Sequence, residues 1–253
     1  MESFFRAVIR FRWLVIGLVL GSSVLAVLPI QTLRFETDIE SMFPFDDPIL
    51  VYSKGVEERF GIRDLIMIGV LNDNADENGV FNPRTLGIVK EFSQHIALLP
   101  GIKAIRDEDV ASIATMDNIT GTVDGINVDP FMEAVPNTPP ALSNLKQAIF
   151  ANHMFVNWVV SEDGTGLLIM AKMEPAEGTQ AGTAQRMTVY TSIRDMVQAK
   201  KATGVPEAFH IAGRGALEVT LSEEEARDMG NFLPLILVVL LGTLYCTYRS
   251  LRG

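Results

Sequence analysis

Two uncharged apolar runs, each long enough to cross a bilayer, constrain this chain more than any other feature. The first, WLVIGLVLGSSVLAVLPIQTL, fills residues 13–33 between Arg12 and Arg34. The second, MGNFLPLILVVLLGTLYCTY, fills 229–248 between Asp228 and Arg249. A helix rising about 1.5 Å per residue needs roughly 20 residues to traverse a hydrocarbon core of about 30 Å. Both runs meet that length, and nothing between them does. Trp13, Tyr245 and Tyr248 suit the interfacial level at the ends of such spans.

The flanks orient the runs. Arg6, Arg10 and Arg12 precede the first, and Arg249 and Arg252 follow the second. Basic residues beside spans favour the cytoplasmic side. The expected layout is a cytoplasmic basic tail (1–12), a first span (13–33), an extracytoplasmic segment (34–228), a second span (229–248) and a cytoplasmic end (249–253). In a bacterial inner membrane the middle segment is periplasmic. It holds 30 acidic and 16 basic residues, so the chain's formal net charge of −10 has its acidic surplus entirely outside. A cleaved signal peptide is the competing reading of the first run, with a small-residue site at Val24-Leu25-Ala26. The run is longer than a usual signal core, however, and no clean A-x-A follows it.

Composition removes several function classes. The acidic balance excludes nucleic acid as a partner, because phosphates select basic surfaces. The single cysteine, Cys246, excludes an intrachain disulfide framework and a cysteine-based zinc site.

The outer segment reads as α+β. Asp46-Asp47-Pro48 is a helix start, an acidic N-cap followed by proline, and predicts a helix from Pro48 to Phe60 stopped by Gly61. Asp64–Leu71 is a short Ile/Val-rich run that predicts a buried strand. Asn82-Pro83 opens a second helix over 83–98, with Leu86, Val89, Phe92, Ile96 and Leu99 at helical spacing. Pro100-Gly101 ends it, and Ile102–Arg106 is expected as a strand. Residues 107–153 read as an insertion of short helices and loops, with Pro139–Asn152 a helix. Phe155–Ser161 and Gly166–Met173 are expected as paired strands around the turn Glu162–Thr165. Thr183–Lys201 is expected as a helix, with Met187, Tyr190, Ile193 and Val197 on one face. Phe209–Ala212 is expected as a strand, Gly213-Arg214-Gly215 as a turn, and a helix from about Ala216 runs through Glu223-Glu224-Glu225 into the second span. The acidic triplet reads as a solvated face. Two α/β units around an insertion, each with a helix on one sheet face, predict a ferredoxin-like split β-α-β sandwich. Phe92 and Ile193 should then share one core.

Motifs for chemistry are sparse. His95, His153 and His210 lie far apart, with no second ligand at i+4. Gly213-Arg214-Gly215 lacks the third glycine of a dinucleotide loop and the lysine of a P-loop. Asn74–Gly79 has the N-x-D-x-N-G spacing of half a calcium loop, but Thr85 stands where a bidentate Glu is needed, so a polar connection fits better. No G-x-S-x-G is present. The sequence therefore assigns no catalytic, cofactor-binding or metal residues, calls for no cofactor and reads as no enzyme. Neither apolar run carries Asp, Glu, Lys, Arg or His, the usual mark of an intramembrane proton path.

Several phrases, in order, resemble the N-terminal portion of a resistance-nodulation-division (RND) superfamily exporter of the MMPL-type and hopanoid-exporter-like branch. Phe35-Glu36-Thr37-Asp38 leads to Met42-Phe43-Pro44 and Asp46-Asp47-Pro48. Arg59-Phe60-Gly61 precedes the strand Leu65–Val70. Ser161–Thr165 precedes the next strand pair. Phe232-Leu233-Pro234-Leu235 ends in Tyr248–Gly253. The resemblance implies proton-driven export of a lipid or other hydrophobic substrate through an outer porter domain. It implies about twelve spans with acidic relay residues on later ones, so this chain is expected to be a fragment, a truncated product or a split subunit. Its implied partners are a membrane lipid or hydrophobic substrate, the remaining spans, and possible further copies of itself. Phe131, Met132, Phe150, Met154 and Phe155 are the candidates for an apolar cargo cleft, with core packing as the commoner role of such residues. The alternative is a two-span protein with an outer sensor or scaffold domain, similar to polysaccharide chain-length regulators. That reading expects long extended helices, whereas none beyond about twenty residues is apparent in the outer segment by periodicity.

Overall fold

The computed structural model describes residues 10–27, 44, 46–60, 64–72, 78–104, 109–122, 125–176 and 179–248. The chain divides into two compact units, Met1–Glu36 and Thr37–Gly253. In the first unit, helix α1 runs Arg12–Val27, within the first apolar run. Arg6, the phrases Phe35–Asp38 and Met42-Phe43, Gly61, most of the calcium-like loop, Arg106, Arg249 and Arg252 lie outside the described residues.

The second unit is α+β. It opens with helix α2 (Pro48–Phe60), with the predicted bounds. Asp47 Oδ1 accepts the backbone N–H groups of Ile49 at 2.8 Å and Leu50 at 3.3 Å, satisfying donors that the helix itself cannot. Strand β1 (Leu65–Leu71) and helix α3 (Pro83–Ala97) follow. The Asn82 side chain accepts the Thr85 N–H at 2.9 Å, and Pro83 occupies the first turn, where its missing N–H costs nothing.

Next come β2 (Val110–Ala111), β3 (Asp117–Thr122), β4 (Gly125–Pro130) and helix α4 (Pro139–Ala151). Strand β5 (Gly166–Lys172), helix α5 (Thr179–Ala202), strand β6 (Ala208–Gly213) and helix α6 (Arg214–Tyr248) complete the order. Strands β2, β5, β1 and β6 lie side by side in that order, antiparallel throughout. The alternation of β1 puts Ile66, Ile68 and Val70 on one face, opposite Ala171, Ile169 and Leu167 of β5. Helices α3 and α5 both contribute to the core on that face. Phe92 and Ile193 are fully buried in one cluster with Ile68 and Phe209, and the Phe92 and Phe209 rings lie 5.6 Å apart. The shared core expected of these two residues is present. On the opposite face Leu65, Met67, Leu168 and Met170 are half-buried.

Four expectations are corrected. The strand expected at Ile102–Arg106 is reduced to a bridge between Ile102 and Met173, and Val110–Ala111 supplies the edge strand instead. Lys103 N–H still donates to the Lys172 carbonyl, residues 105–106 of the expected strand lie outside the described residues, and Val110 pairs opposite Ala171. The strand expected at Phe155–Ser161 is a coil with isolated bridges. Asn157 adopts φ 65°, and the N–H groups of Trp158, Val159 and Val160 all donate to the Phe155 carbonyl, which winds the segment up. The insertion is not helices and loops alone, because β3 and β4 form a separate antiparallel hairpin. Helix α5 has 24 residues, longer than periodicity suggested, because its start is polar.

The turn expected at Gly213–Gly215 is compressed into one residue. Gly213 adopts φ +131°, and a Cβ there would stand 2.5 Å from the Leu65 carbonyl oxygen. Only glycine tolerates both conditions. Helix α6 starts at once and runs for 35 residues, through Pro234, with no break. Among the described residues it is the one helix long and apolar enough to cross a membrane.

Candidate functional site

Two places in the second unit combine unusual chemistry with position. One is a groove in the insertion, and the other is the root of α6.

The groove forms because the β3–β4 hairpin stands off from α4. Pairing places Ile119 opposite Val128 and Gly121 opposite Ile126, so Ile119, Ile126 and Val128 share one face, with Asn118, Thr120, Asn127 and Asp129 on the other. That apolar face is open to solvent; Ile126 is 75% exposed. Between the hairpin and the end of α4 lies an open space of about 670 Å³, lined by Asn118, Ile119, Ala148, His153, Met154 and Phe155 among others. Its size falls within the range of small-molecule sites. The lining is mainly apolar, with amides and one imidazole at its rim.

The five candidates for an apolar cleft divide. Met154 lies exposed in the groove lining and Phe155 forms its floor. Phe131 and Phe155 stack edge to face at 4.7 Å and close an apolar nook of only about 10 Å³ behind it. Met132 is buried core, and Phe150 packs at 5.9 Å from Phe81. Met154 and Phe155 thus border this groove, Phe131 and Met132 line a second open space of about 440 Å³, and Phe150 is a packing residue. His95, His153 and His210 are all exposed and do not converge. Among the described residues no group of His, Cys, Asp and Glu could hold a metal ion.

The root of α6 carries the buried charges. Arg186 of α5 donates from Nε to Glu218 Oε2 at 2.9 Å and from Nη2 to Glu218 Oε1 at 2.6 Å. Its Nη1 reaches Asp64 Oδ1 at 3.3 Å, and Nη2 also donates to Thr183 Oγ1 at 3.0 Å. Arg214 approaches Glu218 Oε1 at 3.4 Å. Glu218 is fully buried, so the fork of Arg186 supplies what its carboxylate loses with water. Gly215 permits the contact, since a Cβ there would stand 2.8 Å from the Arg186 carbonyl oxygen. One turn farther out, half-buried Arg194 pairs with exposed Glu223 at 2.6 Å, and that hydrogen bond raises the pKa of Arg194. Glu223 of the acidic triplet is thus paired, while Glu224 and Glu225 are exposed as expected.

A second buried carboxylate, Glu207, lies between α5 and β6. Burial alone would raise its pKa, but hydrogen bonds from Arg84 Nε and Thr85 Oγ1, both 2.8 Å, hold it below the ordinary value. Sequence reading missed Arg186, Glu218 and Glu207. A signal existed for the first: Arg186 falls in line with Val189, Ile193 and Val197, a charge inside an apolar helical stripe.

Comparison with family models matches residues 88–252 to the MMPL family. The match takes in α3 from Ile88 onward, the insertion, β5, α5, β6 and all of α6, and so the groove and the Arg186–Glu218 pair. None of the curated proteins compared with the chain matches it.

Proposed function

This chain belongs to the MMPL family, and from that premise we propose that it supplies an outer porter domain and its flanking spans to a proton-driven exporter of lipids or other hydrophobic molecules. In this reading the termini are cytoplasmic, 34–228 is periplasmic, and the membrane is the bacterial inner membrane. The observation that carries it is the continuity of α6. One unbroken helix is buried in the outer domain at Glu218 and becomes an uncharged apolar rod from Met229. Family membership selects this reading over the two-span scaffold.

The strand order β2-β5-β1-β6, antiparallel throughout with α3 and α5 in one core, supports a ferredoxin-like split β-α-β assignment. The groove beside the hairpin is the proposed resting place for a hydrophobic cargo, because its lining is mainly apolar and it opens to solvent. The rigid root of α6 would carry movement of the span into the sheet. Neither apolar run has an ionisable side chain, so proton coupling in this reading belongs to other spans.

The test is photolabelling. The full chain, reconstituted in phosphatidylcholine vesicles doped with a diazirine-tailed phospholipid, should be labelled at Met154 and Ile119 as well as along α6. Substituting Ile119→Asp together with Met154→Asp should abolish the first set and spare the second. Labelling confined to α6 in the unsubstituted chain would remove the groove from the cargo path.

A further inference from the structure

Helix α2 has the sequence of an amphipathic helix and the surroundings of an unfinished one. Ile49, Tyr52, Val56 and Phe60 recur at i, i+3, i+7 and i+11 and so form one stripe. In a covered helix such a stripe faces the core. Here Ile49 is 80% exposed, Tyr52 75% and Phe60 65%, and no residue of α2 belongs to the core cluster or packs against it. Val56 alone of the stripe is half-buried, and the side turned inward bears Leu50, Lys54 and Glu57, also half-buried.

Chain connectivity keeps the end of α2 near the root of α6. Phe60 is four residues from Asp64, so the two lie within about 14 Å of each other. Asp64 binds Arg186, which grips Glu218 in the second turn of α6. From Glu218 the helix descends eleven residues, about 17 Å, to the first residue of its uncharged run. The headgroup layer begins several Å above that level. The other end of α2 is joined to the first apolar run by residues 34–47 alone. Its charges balance, with Lys54 and Arg59 against Glu57 and Glu58, inside an otherwise acidic outer segment. A neutral stretch with an aromatic-bearing apolar stripe, tethered at one end to the root of α6 and at the other to the first apolar run, fits a lipid headgroup boundary.

We propose that α2 lies in the outer membrane–water interface of the bilayer, with Ile49, Tyr52 and Phe60 inserted among the lipids. The proposal rests on reading α6 as a span. The occupant of the stripe is lipid, and because the helix is neutral the contact is apolar rather than ionic, insensitive to salt and to anionic lipid content. Docked in this way, α2 would brace the domain against the bilayer from a point other than the two spans.

The full chain carrying Cys246→Ser provides a cysteine-free background. Single substitutions Ile49→Cys, Tyr52→Cys, Phe60→Cys, Val51→Cys and Val238→Cys are spin-labelled in phosphatidylcholine vesicles, and collisions with oxygen and with a water-soluble nickel chelate are compared. Positions 49, 52 and 60 should shift toward oxygen and away from nickel, approaching Val238. Val51, on the far side of α2, should stay open to nickel. Equal nickel access at all four α2 positions, with Val238 protected, would overturn the proposal alone. Nickel access at Val238 as well would overturn the membrane reading and the proposal with it. Spin–spin broadening at 49, 52 and 60 that disappears on dilution with unlabelled chain would show a second copy on the stripe, and would also overturn it.

Discussion

Helices α2 and α3 start alike and end in opposite circumstances. Each opens with an acidic or amide cap followed by proline, each runs about four turns, and each carries an apolar stripe. In α3 the stripe of Leu86, Val89, Phe92 and Ile96 is fully buried against the sheet. In α2 the stripe lies largely bare, with Ile49, Tyr52 and Phe60 exposed and Val56 half-buried. Capping and periodicity therefore dictate that a helix forms and which face is apolar; they do not say what covers that face. Coverage depends on partners far along the chain: for α3, on β5, β6 and α5.

The sharpest way to break the comparison is to put a charge into both stripes. Phe92→Asp removes a fully buried ring that stacks on Phe209 and buries a carboxylate without a partner. The expected loss exceeds about 5 kcal/mol, enough to unfold the domain. Ile49→Asp should change stability by no more than about 0.5 kcal/mol in detergent solution, as for other exposed sites. Urea unfolding of the full chain followed by circular dichroism measures both. Comparable losses for the two would mean that the α2 stripe is covered by the chain itself.

Helix α6 repeats the contrast within one element. Its second turn is buried through Glu218, and its later turns are exposed. Glu218→Ala leaves Arg186 and Arg214 short of a counter-charge in a dry site, and should cost about 3–5 kcal/mol. Glu223→Ala, one turn on, breaks a partly exposed pair and should cost less than about 1 kcal/mol. Equal costs in the same unfolding measurement would deny that the root of α6 is clamped.

What the sequence disclosed follows the same division. The bounds of α2 and the core roles of Phe92 and Ile193 were legible because caps, proline and spacing are local signals. The β3–β4 hairpin was not, because its strands are short, rich in Asn, Thr and Gly, and turn no face to the core. The edge strand at Val110 was also hidden: its place is fixed by pairing with Ala171, a partner some sixty residues away. Of the groove, Met154 and Phe155 could be named as apolar and nothing more, because a cleft is a relation between α4 and a hairpin that had not been recognised. The clamp was half legible, since Arg186 interrupts an apolar stripe while Glu218 sits in a stretch that reads as solvated.

The smallest expected effect concerns how α3 is held at its start. The turn Ser161–Gly166 covers the approach to that helix: the Gly164 carbonyl accepts the Val80 N–H at 3.0 Å, and the Thr165 carbonyl accepts that of Asn72 at 2.8 Å. Asp163 orders the turn, accepting from Ser161 Oγ at 2.6 Å, from Thr165 N at 3.0 Å and from Thr165 Oγ1 at 2.8 Å. These bonds, the one from Ser161 foremost, lower its pKa from 3.8 to about 2. A carboxyl whose folded value is depressed stabilises the fold above its unfolded pKa, and that contribution is lost as pH falls through the folded one. The stability that Asp163 adds should thus be complete above about pH 5 and fade between roughly 4 and 2. Measured as the difference in midpoint between the unsubstituted chain and Asp163→Asn, the gap should be widest near neutrality and close across that window. A gap for Asp163→Asn that stays constant down to pH 2 would show that the turn needs only the shape of the side chain, and that its charge does nothing to hold α3 in place.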